Sequence, residues 1–364
     1  MRILFITRHY YDDIEGGGQE KFVVALANNL AQMGDEVGIA AFKATHHAPR
    51  KEVKNGVTIY RLGGIRELFS TRFLGFTQVI KDFQADAVIL STIQYAYYGA
   101  FMKYLTGVKV YGIVNDFHDI YGYRKVASIP FSINRRYFMH LIDGAIGANS
   151  YASSLIKEAS SVKAYETTTG FDLPEPLPIK TCYRNYSENG EPYTFVFIGR
   201  MQKEKGVVVL AKAFENFHRF YPNSRCIFIG GGKYLSTFKE KWNGAGIEVR
   251  GFLPETEMLK ELSRADVFIN PSYIKEGLVI TNVQAMRLGV PVISTDVGGV
   301  KDAITDGKNG ILVQPENEKD LFNAMEKIAF SKDVRRMARM GRFKSSIFSG
   351  KASAGQLKEI LEHV

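Results

Sequence analysis

Short aliphatic and β-branched runs alternate with stretches of helical spacing along the whole chain. Apolar runs of about four to eight residues, bounded by turn residues, suit strands buried on both faces. Apolar residues recurring at three- and four-residue steps suit helices that cover such strands. In the first half the runs predict strands at Arg2–Thr7, Glu36–Ala41, Val57–Arg61, Ala87–Ser91, Lys109–Val114 and Gly144–Ala148. Phe22, Val23, Leu26, Ala27 and Leu30 share one helical face between the first two strands, and Gly34 marks that helix's end. In the second half strands are predicted at Thr194–Ile198, Arg225–Ile229, Glu248–Gly251, Val267–Asn270, Val290–Ser294 and Gly310–Val313. Helices fall near Val207–Phe220, Glu255–Arg264, Thr281–Leu288 and Lys319–Ala329. This alternation is the pattern of parallel sheets wrapped by helices, an α/β class.

Pro174, Pro176 and Pro178 interrupt it. Prolines at alternate positions fit neither a helix interior nor a central strand, so an extended linker is expected there. The organisation predicted is a Rossmann-like N-terminal domain over 1–170, a linker over 171–190 and a second Rossmann-like domain over 191–345. A C-terminal helix over 346–364 follows, which can cross back to the N-terminal domain. A length of 364 residues agrees with two cores rather than one. Two such sheets leave a central cleft at the C-terminal ends of their strands, where open α/β sheets bind ligands.

The net charge of +9 calls for an anionic partner. Paired Cys/His fingers, an aromatic ribonucleoprotein motif and a basic helix with heptads are all missing, so nucleic acid is not expected. Phosphate and an anionic membrane surface remain. A run of about 20 apolar residues, enough to span a bilayer, does not occur. The apolar start Ile3-Leu4-Phe5-Ile6 is cut by Arg8-His9 and reads as a first strand rather than a signal peptide. Cys182 and Cys226 stand far apart, as two reduced thiols of a cytoplasmic protein would.

The most informative segment runs from Asn270 to Ile293. A strand ends at Asn270, a loop carries Glu276-Gly277, and a helix begins just after. Backbone N–H groups at a helix start, with a glycine allowing close approach, make an anion site. Gln284 lies eight residues past Glu276, a span on the order of 12 Å at helical rise. That is comparable to a sugar–diphosphate–ribose unit, so one side chain can reach the sugar and the other the ribose.

Here the chain resembles the GT-B retaining glycosyltransferases of family 4 (glycosyltransferase group 1). Their signature is a proline-serine pair, Glu-Gly-Phe-Gly, a second Glu eight residues after the first, then Ala-Met and Gly-x-Pro-Val-Ile. Pro271-Ser272, Glu276-Gly277, Ala285-Met286 and Gly289-Val290-Pro291-Val292-Ile293 follow it. The likeness covers essentially the whole C-terminal half, with Gly230-Gly231-Gly232, Gly298-Gly299, Asp306-Gly307 and Asn309-Gly310 in family order. It implies a GT-B fold of two Rossmann-like parallel-sheet domains facing a central cleft. It implies also that Arg200 and Lys205 grip the donor diphosphate, with the backbone of Gly277 and Leu278. Gly251-Phe252 matches the stretch that contacts the base, and Gln284 stands at the ribose position. Two positive charges are what a departing diphosphate requires, since breaking the glycosidic C–O bond releases negative charge there. Ligand clusters for a metal are not visible, so a metal-independent reaction with no cofactor is expected.

The chain departs from the family at several positions. Gln284 replaces the second Glu, keeping a hydrogen-bonding carbonyl but no charge. Leu278-Val279 replace Phe-Gly. In the first half, Gly16-Gly17-Gly18-Gln19-Glu20 resembles the glycine loop that closes over the diphosphate, which assigns Gly17 and Gly18 to it. Asn115-Asp116 follows the strand Lys109–Val114, where the family has His-Asp. Asn115 then stands near the reacting sugar; His118-Asp119 is the alternative, at the expense of drawing polar Asn115 and Asp116 into the strand.

The resemblance implies transfer of a glycosyl group from a nucleoside diphosphate sugar to a hydroxyl acceptor with retention, in cell-envelope polysaccharide or glycolipid biosynthesis. Glu276 acts as a sugar-hydroxyl anchor, and the departing phosphate takes the acceptor proton. Aromatics and arginines mix over Arg66–Phe76 and Phe131–Met139. They suit either a peripheral surface on anionic lipid at the inner face of the membrane, reaching a saccharide or lipid-linked acceptor, or a core stripe with a solvated edge. Two other functions stay open: a nucleotide-sugar epimerase of the same fold, and a non-catalytic nucleotide-sugar-binding protein. A dinucleotide dehydrogenase is disfavoured, because the first-strand loop lacks the Gly-x-Gly spacing with an acid about 20 residues on.

Overall fold

A computed structural model describes residues 1–10, 18–43, 49–62, 69–121, 133–176, 186 and 190–363. They form two compact units, Met1–Asp172 with Ile347–Val364, and Leu173–Ser346. Each predicted strand is present with ends moved by at most two residues, and two short edge strands are added.

The first unit is built on β1 (Arg2–His9), β2 (Glu36–Lys43), β3 (Lys51–Lys54), β4 (Val57–Arg61), β5 (Ala87–Leu90), β6 (Lys109–Val114), β7 (Gly144–Gly147) and β8 (Ala164–Glu166). Their order is β3-β4-β2-β1-β5-β6-β7-β8, with only β3 antiparallel to its neighbour. Along β1, Ile3 and Phe5 enter one apolar cluster while Leu4 and Ile6 enter the other, because successive side chains point to opposite faces. Helices cover both faces, which is why the strand sequences are continuously apolar.

The helix Gly350–Glu362 belongs to this unit. Ala354, Leu357 and Leu361 of the helix Gly350–Glu362 pack into the cluster that holds Phe22, Leu26 and Leu30 of the helix Gly18–Gln32. Asp35, its side chain 2% exposed, accepts hydrogen bonds of 2.8 Å from Lys358 Nζ and from the Met1 amine. Burial pushes the Asp35 carboxyl up, but these bonds outweigh it and hold the group below its ordinary value. Phe171, fully buried, bridges to Ser349 in parallel.

The second unit holds β9 (Tyr193–Ile198), β10 (Ser224–Ile229), β11 (Ile247–Gly251), β12 (Val267–Asn270), β13 (Val292–Thr295) and β14 (Ile311–Val313). All pairs are parallel, in the order β11-β10-β9-β12-β13-β14. This is a doubly wound arrangement in which the direction of winding reverses between β9 and β12. The corresponding reversal in the first unit lies between β1 and β5. Phe195, Phe197, Phe214, Phe217 and Phe228 centre the core. Cys226 is buried and unpaired, its thiol pushed up by burial, while Cys182 lies outside the described residues. Among the described residues no helix is long and apolar enough to cross a membrane.

Candidate functional site

Loops at the C-terminal ends of β9 and β12 meet at the winding reversal of the second unit. Tyr273 N donates to Glu204 O at 3.1 Å, tying the turn Lys203–Lys205 to the loop after β12. Gly206 lies directly beneath, at φ +71°; a Cβ there would stand 2.0 Å from Pro271 O, so only glycine fits. Gly230, at φ +141°, is pressed against Gly199 in the same way, with 1.9 Å to Gly199 O for an added Cβ. Its N–H donates to Gly251 O at 2.7 Å. The ends of three neighbouring strands are thus drawn together.

Lys205 Nζ donates to the Glu276 carboxylate in an ion pair whose side chains are 13% and 21% exposed. Gly299 N donates to Glu276 O at 2.9 Å, fixing the loop from its other side. Gly277 is buried and Leu278 half-buried. The helix Ile280–Leu288 then starts at Val279 with no side-chain cap, which leaves first-turn N–H groups for a ligand. Arg200 is exposed after β9, without an ion-pair partner among the described residues. Phe252 is 62% exposed beyond β11, close to Gly231, whose added Cβ would lie 3.8 Å from Phe252 Cβ. Gln284 is only 2% exposed. Its Nε2 donates to Glu255 Oε1 at 3.2 Å. Glu255 was not singled out from the sequence, although it opens a helix shortly after Gly251-Phe252.

In the first unit, Gly18 opens the helix Gly18–Gln32 and Gly17 lies outside the described residues. Gln19 Nε2 donates to Ser91 O at 2.6 Å, pinning the helix start to the end of β5. Glu20 is raised by burial, which its own backbone bond and the charge of Arg8 offset in part. Asn115 is the first residue after β6. Its backbone N and its Nδ2 both donate to Asp119 Oδ2, at 2.7 and 3.1 Å. Thr92 Oγ1 and Gln94 Nε2 donate to the other oxygen at 2.7 and 3.4 Å, and Asn149 Nδ2 donates to Asn115 O at 3.0 Å. Burial, then the charge of Asp116, push Asp119 up to about 6. His118 sits on the adjoining turn, its Nδ1 3.5 Å from Asp116 Oδ1. Asn115 and His118 therefore share one end of the sheet. Asp119, named from the sequence only within the alternative pair His118-Asp119, organises that end by accepting from Asn115 four residues before it. Among the described residues, no group of three His, Cys, Asp or Glu is placed to hold a metal ion.

Residues 181–343 match the family described as Glycosyl transferases group 1. An alpha-maltose-1-phosphate synthase of Mycolicibacterium smegmatis is 32% identical over 168 residues, 43% of this chain and 42% of that protein. The D-rhamnosyltransferase WbpZ of Pseudomonas aeruginosa is 25% identical over 89% of this chain and 86% of its own length. The relatives at 31–34% identity are matched over only 31–43% of their length. Sucrose-phosphate synthase from Thermosynechococcus elongatus superposes with a TM-score of 0.82 at 18% identity, covering 100% of this chain and 99% of that one. The Anabaena protein HepE, solved with UDP, superposes with a TM-score of 0.76 at 17% identity over 100% of both chains. Residues 181–343 are therefore similar to the group 1 glycosyl transferases, and the two parallel-sheet units have the GT-B fold.

Proposed function

We propose that the chain is a retaining glycosyltransferase that uses a nucleoside diphosphate sugar and a hydroxyl acceptor. The observation that carries this reading is the Lys205–Glu276 pair beside the uncapped start of the helix Ile280–Leu288. A cation, a carboxylate and open backbone N–H groups there suit a phosphorylated sugar, whose anionic and hydroxyl parts need opposite partners. Arg200, Lys205 and the amides of Gly277 and Leu278 hold the diphosphate, Glu276 anchors a sugar hydroxyl, and Phe252 offers a face to the base. Asn115 and His118 are the first unit's candidates for contact with the reacting sugar.

In the step itself the anomeric C–O bond to the β-phosphate breaks as the acceptor oxygen bonds to the same face of that carbon. The acceptor proton passes to the departing phosphate oxygen, and Lys205 and Arg200 stabilise the charge that develops there. This chemistry calls for no metal, so activity should persist in excess chelator. An acceptor in cell-envelope polysaccharide or glycolipid synthesis agrees with the relatives' printed names, a putative teichuronic acid biosynthesis glycosyltransferase of Bacillus subtilis among them. The structures of HepE with UDP and UDP-glucose favour uridine as the first base to test.

We extend the reading to a peripheral site on an anionic membrane at the inner face of the cell membrane. Phe76 is buried, so the first aromatic stretch contributes at that residue to the core. Phe101, Tyr104 and Leu105 are exposed on the helix Ala96–Thr106, as are Tyr137 and Leu141 in the adjoining segment. Arg66 and Phe131 lie outside the described residues. Cosedimentation with anionic vesicles at low salt tests this placement; no binding would remove it. The donor reading is tested by thermal shift with nucleoside diphosphates and their sugars, since a ligand of the folded state raises Tm. Absence of any shift would sink it.

A further inference from the structure

If the second unit holds a nucleoside diphosphate, as proposed above, Gln284 is a weak partner for the ribose. A vicinal diol is best met by an ionised carboxylate, which accepts a charge-assisted hydrogen bond from each hydroxyl. The Gln284 amide carries no charge, and its donor is turned onto Glu255 Oε1 at 3.2 Å. The two residues differ in setting: Gln284 is buried on the helix Ile280–Leu288, whereas Glu255 is exposed at the start of the helix Glu255–Arg264. Glu255 lies three residues past Phe252. Gln284 lies about 6 Å of axial rise beyond the helix start at Ile280, four residues on. The carboxylate therefore lies three residues past the stretch assigned to the base and within hydrogen-bond distance of the residue assigned to the ribose.

We propose that Glu255 is the ribose-recognising carboxylate of this chain and that Gln284 is its positioning residue. The amide at 284 then has a physical reason. A glutamate in its place would face Glu255 at hydrogen-bond distance, and two carboxylates so close do not both stay ionised. An amide donates instead, fixing one Glu255 oxygen and orienting the group toward the ligand.

The test uses the full chain and measures Kd for UDP and 2′,3′-dideoxy-UDP, with GDP and its dideoxy form alongside. The chain should bind the ribonucleotide about tenfold or more tightly, the scale of a hydrogen bond to a charged group. Glu255→Gln should bring that ratio to within about twofold, leaving dideoxy affinity unchanged. Gln284→Leu should reduce the ratio by loosening Glu255, and Gln284→Glu should not enlarge it. An undiminished ratio in Glu255→Gln overturns the assignment, as does an unmodified chain that binds ribo and dideoxy forms equally; both outcomes leave the diphosphate reading intact. If none of the four nucleotides binds, that reading falls and the ribose assignment with it.

Discussion

The two units wind their sheets in the same way, yet their C-terminal edges are built from different chemistry. In the second unit the strand ends are drawn together by glycines, at Gly206 and Gly230, and the charged groups lie at or near the surface: Arg200, Lys205, Glu276. In the first unit the carboxylate is deep inside. Asp119 is buried among donors from Asn115, Thr92 and Gln94, and it holds the loop after β6 from within. One edge thus keeps its charges at or near the surface, while the other uses charge to shape its own backbone. A common topology fixes where a site lies; the burial of its charges decides whether they bind or brace.

The difference can be broken most strongly at Lys205. Lys205→Ala should lower turnover by about 10²–10³-fold and raise Kd for nucleoside diphosphates, with little change in Tm. Unaltered kinetics would remove Lys205 from the diphosphate. Asn115→Ala is the first-unit counterpart: turnover should fall while nucleotide affinity, measured calorimetrically, stays put.

Packing of the chain's end into the first unit comes next. Leu357→Ala removes a side chain 1% exposed in the core and should cost about 3 kcal/mol by denaturant unfolding, again with nucleotide affinity unchanged. A smaller effect sharpens the role of Asp119. Its folded pKa of about 6 lies above the ordinary value, so its contribution to stability is present at low pH and lost as pH rises through about 6. Tm measured against pH should show that descent in the unmodified chain but not in Asp119→Asn. Asp35 has the opposite sign: held below its ordinary value, it stabilises at neutral pH and loses that contribution on acidification. Asp35→Asn should flatten the acid limb of the same curve; an unchanged limb would mean that Lys358 adds nothing there.

The strands and the second-unit loop were legible because both signals are local. Buried parallel strands must be apolar throughout, and loops whose backbones press together must place glycine at the approach, as at Gly206 and Gly230. The short edge strands were less so. Three of the four residues of Lys51–Lys54 are charged because the strand pairs on one side only, although Asn55-Gly56, at φ 52° and 79°, is a hairpin-turn signal beside it. Ala164–Glu166 is three residues long and leaves no periodicity to find. Glu255 escaped for another reason: its partner is 29 residues away, on a different helix.

By itself the sequence determined two α/β sheets, the order of their strands along the chain and the glycine-bearing Glu276-Gly277 loop between β12 and the helix that follows. Each follows from residue type at short separation, where sterics and hydrogen bonding act between chain neighbours. Only the tertiary structure decided that Lys205 meets Glu276, that Gln284 donates to Glu255, and that Asp119 is desolvated. Those depend on which strand ends fold side by side and how far water is excluded between them, and neither quantity is carried by any single stretch of the chain.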